Sequence, residues 1–120
     1  MQGRLLLLAI AASSIWLMSV PGSSARTPVP VAVVEGEYYI HLTGRLSAPH
    51  GAVKFNTWNA GEDDHMLYIG RKGKRYGQIA RIPAGARVSI TVNLPRGTYN
   101  LLCRLPGHVG LGMVAHFKVT

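Results

Sequence analysis

Cysteine, acid and long apolar runs are all scarce in this chain of 120 residues. The one cysteine, Cys103, excludes any disulfide within the chain. Exported domains of this size often use paired cysteines as staples, so a single thiol there calls for burial or occupation by a metal. The five acids, Glu35, Glu37, Glu62, Asp63 and Asp64, all precede His65. Nine cations follow it (Arg71, Lys72, Lys74, Arg75, Arg81, Arg87, Arg96, Arg104, Lys118). The C-terminal half therefore presents positive potential, which favours acidic partners or anionic surfaces. The longest apolar segment, Leu5–Val20, is interrupted by three serines and falls short of the ~20 residues that span a bilayer. There is no serine or cysteine nucleophile with a matching base and no phosphate-cradling loop, so the chain does not read as an enzyme.

That apolar segment follows Arg4, ends at Pro21-Gly22, and is trailed by the small residues Ser23-Ser24-Ala25. This is the pattern of an export signal cleaved after Ala25, the competing reading being an uncleaved anchor. Residues 26–120 then form one domain with one core. Removing Arg4 from the thirteen Lys and Arg leaves twelve against five acids, a net charge of +7. Location is expected to be periplasmic or otherwise outside the cytoplasm.

The remainder alternates with a period of two and has no long segment of helical period. Val29, Val31 and Val33 suit an edge strand with Pro30. Tyr38, Ile40 and Leu42 share a face, as do Val53, Phe55 and Thr57, and then His65, Leu67 and Ile69. Gly70–Gly77 reads as a glycine-rich basic loop, solvated rather than nucleic-acid-binding. A short strand is expected over Gln78–Ile82, and the clearest alternation follows at Val88, Ile90, Val92 and Leu94. Tyr99, Leu101 and Cys103 form another face, and Met113, Ala115, Phe117 and Val119 the last. Seven or eight short strands separated by turns predict an all-β sandwich.

Cys103–Met113 offers a thiol, an imidazole and a thioether spaced C-x4-H-x4-M. Side chains alternate between core and solvent along a strand. By that parity Cys103, Met113 and His65 point inward at strand ends, with His108 in the loop between two of those strands. His41 and His116 fall on polar faces, His50 lies in a turn, and Met66 faces away from His65. Two imidazoles and a thiolate with a weak axial thioether form a mononuclear copper site of the electron-transfer type. Thioether is a poor zinc ligand, so copper is the better match. Glu62-Asp63-Asp64 is an acidic turn beside His65, and Trp58 is either a cap over the core near the metal or a half-buried loop aromatic.

With Asn59-x-Gly61-x3-His65 and Pro95-Arg96-Gly97-Thr98-Tyr99-x3-Cys103-x2-Pro106-Gly107-His108-x3-Gly112-Met113, the chain resembles the cupredoxins, or blue copper proteins. Its loop spacing is most similar to rusticyanin and sulfocyanin. The resemblance implies a Greek-key β-sandwich with one copper per chain near one end, and His65, Cys103 and His108 as strong ligands with Met113 axial. It also implies that His108 is the partly exposed edge through which electrons leave. The sequence departs from the pattern at Met66, where many members carry asparagine or serine tying the ligand loops together. One domain with ligands for one copper excludes a multicopper oxidase, and a single cysteine excludes a dinuclear centre bridged by two.

Together these features describe an exported monomer carrying single electrons between redox proteins with acidic docking surfaces, with peripheral contact to an anionic membrane as a further outlet for its charge. A copper delivery or storage protein and a metal-free binding module are the alternatives. The exported protein is expected to begin at Arg26, which an intact-mass measurement checks; a species retaining residues 1–25 would instead be anchored.

Overall fold

The computed structural model describes residues 11–19 and 26–120. Residues 11–19 are exposed and carry no regular structure; the rest of the expected leader and its cleavage site lie outside the described residues. Nine strands follow: β1 (Val29–Gly36), β2 (Tyr39–Thr43), β3 (Ser47–Ala48), β4 (Gly51–Asn59), β5 (His65–Arg71), β6 (Lys74–Ile82), β7 (Arg87–Leu94), β8 (Gly97–Leu102) and β9 (Val114–Val119). No helix long and apolar enough to cross a membrane occurs among the described residues.

The strands form two mixed sheets, one ordered β2-β1-β4-β7 and the other β3-β9-β8-β5-β6. Most neighbours are antiparallel, but β1 runs parallel to β4 and β3 parallel to β9. The expected all-β sandwich is therefore what forms. The ninth strand is β3, whose two residues are too few to register as an alternation. Val31, Val33, Val53, Phe55, Leu67, Ile69, Tyr99, Leu101 and Phe117 make the core, largely the faces that the period of two marks. Phe55 of one sheet meets Phe117 of the other edge to face, ring centres 5.4 Å apart, which fastens the layers at mid-height.

Gly70–Gly77 is not a loop. β5 continues to Arg71 and β6 starts at Lys74, so only Lys72-Gly73 turns the chain. Both turn residues have positive φ, 48° and 74°, as a two-residue hairpin turn matched to strand twist requires. The strand therefore extends through charged residues that pattern reading assigns to a loop. Gly77 lets β6 pass the opposite sheet closely, since a Cβ there would lie 2.7 Å from Val92 Cγ2. The basic hairpin tip lies at the far end of β5 from His65, about 20 Å away at the usual strand rise.

Glu35 shares the inward parity of Val31 and Val33, and its side chain is fully buried with neither carboxylate oxygen hydrogen-bonded. Burial pushes its pKa from 4.5 up to about 8. Because the folded state holds that proton to higher pH than the unfolded chain does, stability is expected to fall as pH rises between about 4.5 and 8. The loss is on the order of a few kcal/mol. Urea denaturation at pH 5 and pH 8.5 should show it, and Glu35→Gln should flatten the difference; equal wild-type stability at both pH values would mean that Glu35 ionises without penalty.

Candidate metal centre

β5 and β8 lie side by side and antiparallel, with Tyr68 opposite Leu102. The first residue of β5, His65, therefore sits at the same end of the sandwich as Cys103, which directly follows β8. The chain between Cys103 and Met113 folds back on itself. Cys103 N–H donates to the Met113 carbonyl (3.2 Å) and Met113 N–H to the His108 carbonyl (3.1 Å). His108 N–H donates to the Leu105 carbonyl (3.0 Å), closing a turn around Gly107, whose φ is +80°. His65, Cys103 and Met113 are fully buried, while His108 is partly exposed.

Three donor atoms converge. Nδ1 of His65 and Nδ1 of His108 are 3.3 Å apart. Cys103 Sγ lies 3.4 Å from His108 Nδ1 and 4.0 Å from His65 Nδ1. A centre bonded to all three at ~2.0–2.3 Å in a plane would hold them about 3.5–3.8 Å apart. The triangle brackets that size, so the residues fit one metal ion. Met113 joins this group through its backbone hydrogen bonds at the end of the same loop.

The sulfur is prepared by its surroundings in opposing ways. Burial pushes the Cys103 thiol up, while the backbone N–H groups of Leu105 and Met66 donate toward it and pull it down. Glu35 is close enough that a negative charge there would raise it further. Met66, the position where the family resemblance leads one to look for a tying side chain, thus contributes its main-chain amide.

His65 is held by an acid far away in sequence. Its Nε2 is 3.0 Å from Glu37 Oε1. The same carboxylate accepts from the N–H of Asp63 (2.8 Å) and of Glu62 (3.0 and 3.1 Å), and these amides hold its pKa below the usual carboxylate range, with His65 adding a smaller pull. Glu62-Asp63-Asp64 therefore meets His65 indirectly: two amides grip Glu37, and the Asp64 carboxylate accepts from Arg81 Nε at 2.7 Å. Asn59, fully buried, braces the loop by donating to the carbonyls of Asp63 (2.7 Å) and Ile82 (2.8 Å) and accepting from Gly61 N–H (2.9 Å).

No family model matches the chain, and no curated protein matches it by sequence. Solved structures do. Auracyanin A, described as a "blue" copper protein from Chloroflexus aurantiacus, is 18% identical with a TM-score of 0.66, over 78% of this chain and all of that one. The fold is that of the cupredoxins. Rusticyanin from Thiobacillus ferrooxidans is 20% identical with a TM-score of 0.64, over 78% of this chain and 79% of its own. A multicopper oxidase also matches, at 19% identity and a TM-score of 0.54, with 40% of its length covered.

The remaining histidines stay apart from the centre. His116 Nδ1 meets Asn100 Oδ1, His50 Nδ1 meets the Thr120 carbonyl, and His41 packs on Tyr39. Trp58 is half-exposed under the Arg87 guanidinium, 4.5 Å from its ring centre, rather than closed over the core. Two residues escape sequence reading, Glu37 and Tyr38. The Tyr38 ring stands edge-on to His108 at 5.0 Å. Since Asn59 holds the loop leading to His65 by three hydrogen bonds, Asn59→Ala is expected to cost about 3 kcal/mol in chemical denaturation.

Proposed function

We infer that this protein is a small exported electron carrier holding one copper ion between His65 Nδ1, Cys103 Sγ and His108 Nδ1, with the Met113 thioether as weak axial donor. The observation that carries this is the triangle of two imidazole nitrogens and one thiol with edges of 3.3, 3.4 and 4.0 Å. Copper in such a donor set supplies one-electron chemistry between its two oxidation states. Every other task falls to the chain. Cys103 gives up its proton to become a ligand, which its raised thiol pKa resists until a cation is present. Burial of His65, Cys103 and Met113 keeps water from the centre, and the two ends of the ligand loop are tied to each other so that little moves when charge changes.

His108 is the ligand nearest solvent. Exposed Val109 and Leu111 in its loop, with Tyr38 against its ring, offer an apolar surface on which a redox partner docks. The positive charge suited to an acidic partner lies elsewhere, along the outer face of β5 and β8. There Arg71, Lys72 and Arg104 line a shallow concavity with Tyr68, Asn100 and Leu102. Arg104 follows Cys103 directly and lies over the Tyr68 ring at 4.6 Å. A carrier rather than an enzyme is supported by the burial of three of the four donors, which leaves no approach for a substrate except at His108.

The test is direct. Residues 26–120 given Cu(II) are expected to turn intensely blue with one copper per chain, and to cycle reversibly in voltammetry with the metal retained. Cys103→Ala should abolish the colour. Copper lost on each reduction would indicate delivery or storage, and no stoichiometric uptake would leave a metal-free binding module.

A further inference from the structure

The loop before His65 is built around a carboxylate. Glu37 accepts three contacts from the amides of Glu62 and Asp63 at 2.8–3.1 Å and meets His65 Nε2 at 3.0 Å. A second observation points the same way. The three atoms that a Cβ on Gly61 would strike first are Oε1, Oε2 and Cδ of Glu37. The φ of Gly61 is not in the left-handed region, so the backbone does not demand glycine there. What the missing side chain provides is room for the carboxylate.

We propose that Glu37 is the positioning residue of the metal centre: it fixes the His65 imidazole as the Nε2–H tautomer, leaving the Nδ1 lone pair free to face Cys103 and His108. This rests on the copper reading above and adds to it. A carboxylate acts as acceptor only, so the ring nitrogen it meets must carry the proton. The other nitrogen, 3.3 Å from His108 Nδ1, is then the ligand atom. An acceptor behind a metal-binding imidazole orients the ring and raises its basicity. Glu37 also brings a full negative charge, which favours the more positive oxidation state of a bound metal. His65 and Glu37 are 28 positions apart, and Glu37 lies in the turn joining β1 to β2, so the contact also ties that turn of one sheet to the start of β5 in the other.

The experiment has a metal-free arm and a copper arm. In the apoprotein, nitrogen-15 NMR of the histidine rings should show His65 as the Nε2–H tautomer. Glu37→Ala should reduce that population and lower Cu(II) affinity about 10–100-fold. Glu37→Gln keeps an acceptor oxygen but removes the charge, so it should hold the tautomer while raising the reduction potential; a tenfold loss confined to Cu(II) is a rise of about 59 mV. Gly61→Ala, which displaces the carboxylate while keeping Glu37, should reproduce the Glu37→Ala tautomer change, and it carries the test if Glu37→Ala does not fold. An Nδ1–H tautomer in the wild-type apoprotein, or variants that keep both tautomer and potential, would overturn the proposal. A Glu37-dependent tautomer in a chain that never turns blue would uphold the positioning role and reject the copper carrier; a blue site indifferent to Glu37 would do the reverse.

Discussion

The antiparallel pairing of β5 with β8 is the constraint on which the rest depends. Opposed direction brings the beginning of one strand and the end of the other to a single edge. A histidine and a cysteine 38 positions apart thereby become neighbours across 4.0 Å. The core exists to make that edge rigid. Tyr99 and Leu101 of β8 and Leu67 and Ile69 of β5 are fully buried, and Phe117 of β9 locks against Phe55 in the facing sheet. Close packing of this kind lets ligand positions hold to within a fraction of an ångström, which an unpacked loop does not. The loop from Cys103 to Met113 adds the remaining donors by closing on its own backbone rather than by borrowing contacts from distant segments.

Much of this arrangement is legible in the amino-acid sequence. The parity of His65 with Leu67 and Ile69, and of Cys103 with Tyr99 and Leu101, assigns inward directions because a strand has only two faces. Both assignments agree with full burial of the two side chains. The hairpin at Lys72-Gly73 is not legible, because its flanking residues are charged and glycine-rich and carry no alternation, while the turn is specified by positive φ at two positions. β3 is too short to leave a trace. Glu37 is hidden for a different reason: its partners lie 25 to 28 positions downstream, and nothing local in the sequence marks a side chain that reaches into a remote turn. Glu35 is hidden because an acid on an inward face contradicts the rule that buried polar groups find partners.

Charge is arranged differently from a simple division of the chain into halves. Of the acids before His65, Glu37 is taken up by the loop amides and Asp64 by Arg81, while Glu62, Asp63 and Asp64 remain exposed beside the start of β5. The cations at the β5–β6 turn project from the end of the sandwich remote from the metal centre. The exposed apolar side chains beside His108 and the cations along the β5–β8 face are therefore separate features of the surface.

The space left by Gly61 has a consequence for how such a chain can change over time. A side chain at that position and the Glu37 carboxylate would occupy one volume, so a change at 61 is felt at 37. A lineage that gains a side chain at position 61 pushes the carboxylate at 37 out of its place, and one that replaces the acid with a smaller residue relaxes the demand for glycine. Among relatives of this chain the two positions should therefore drift as a linked pair, although neither is one of the four residues that would touch the metal.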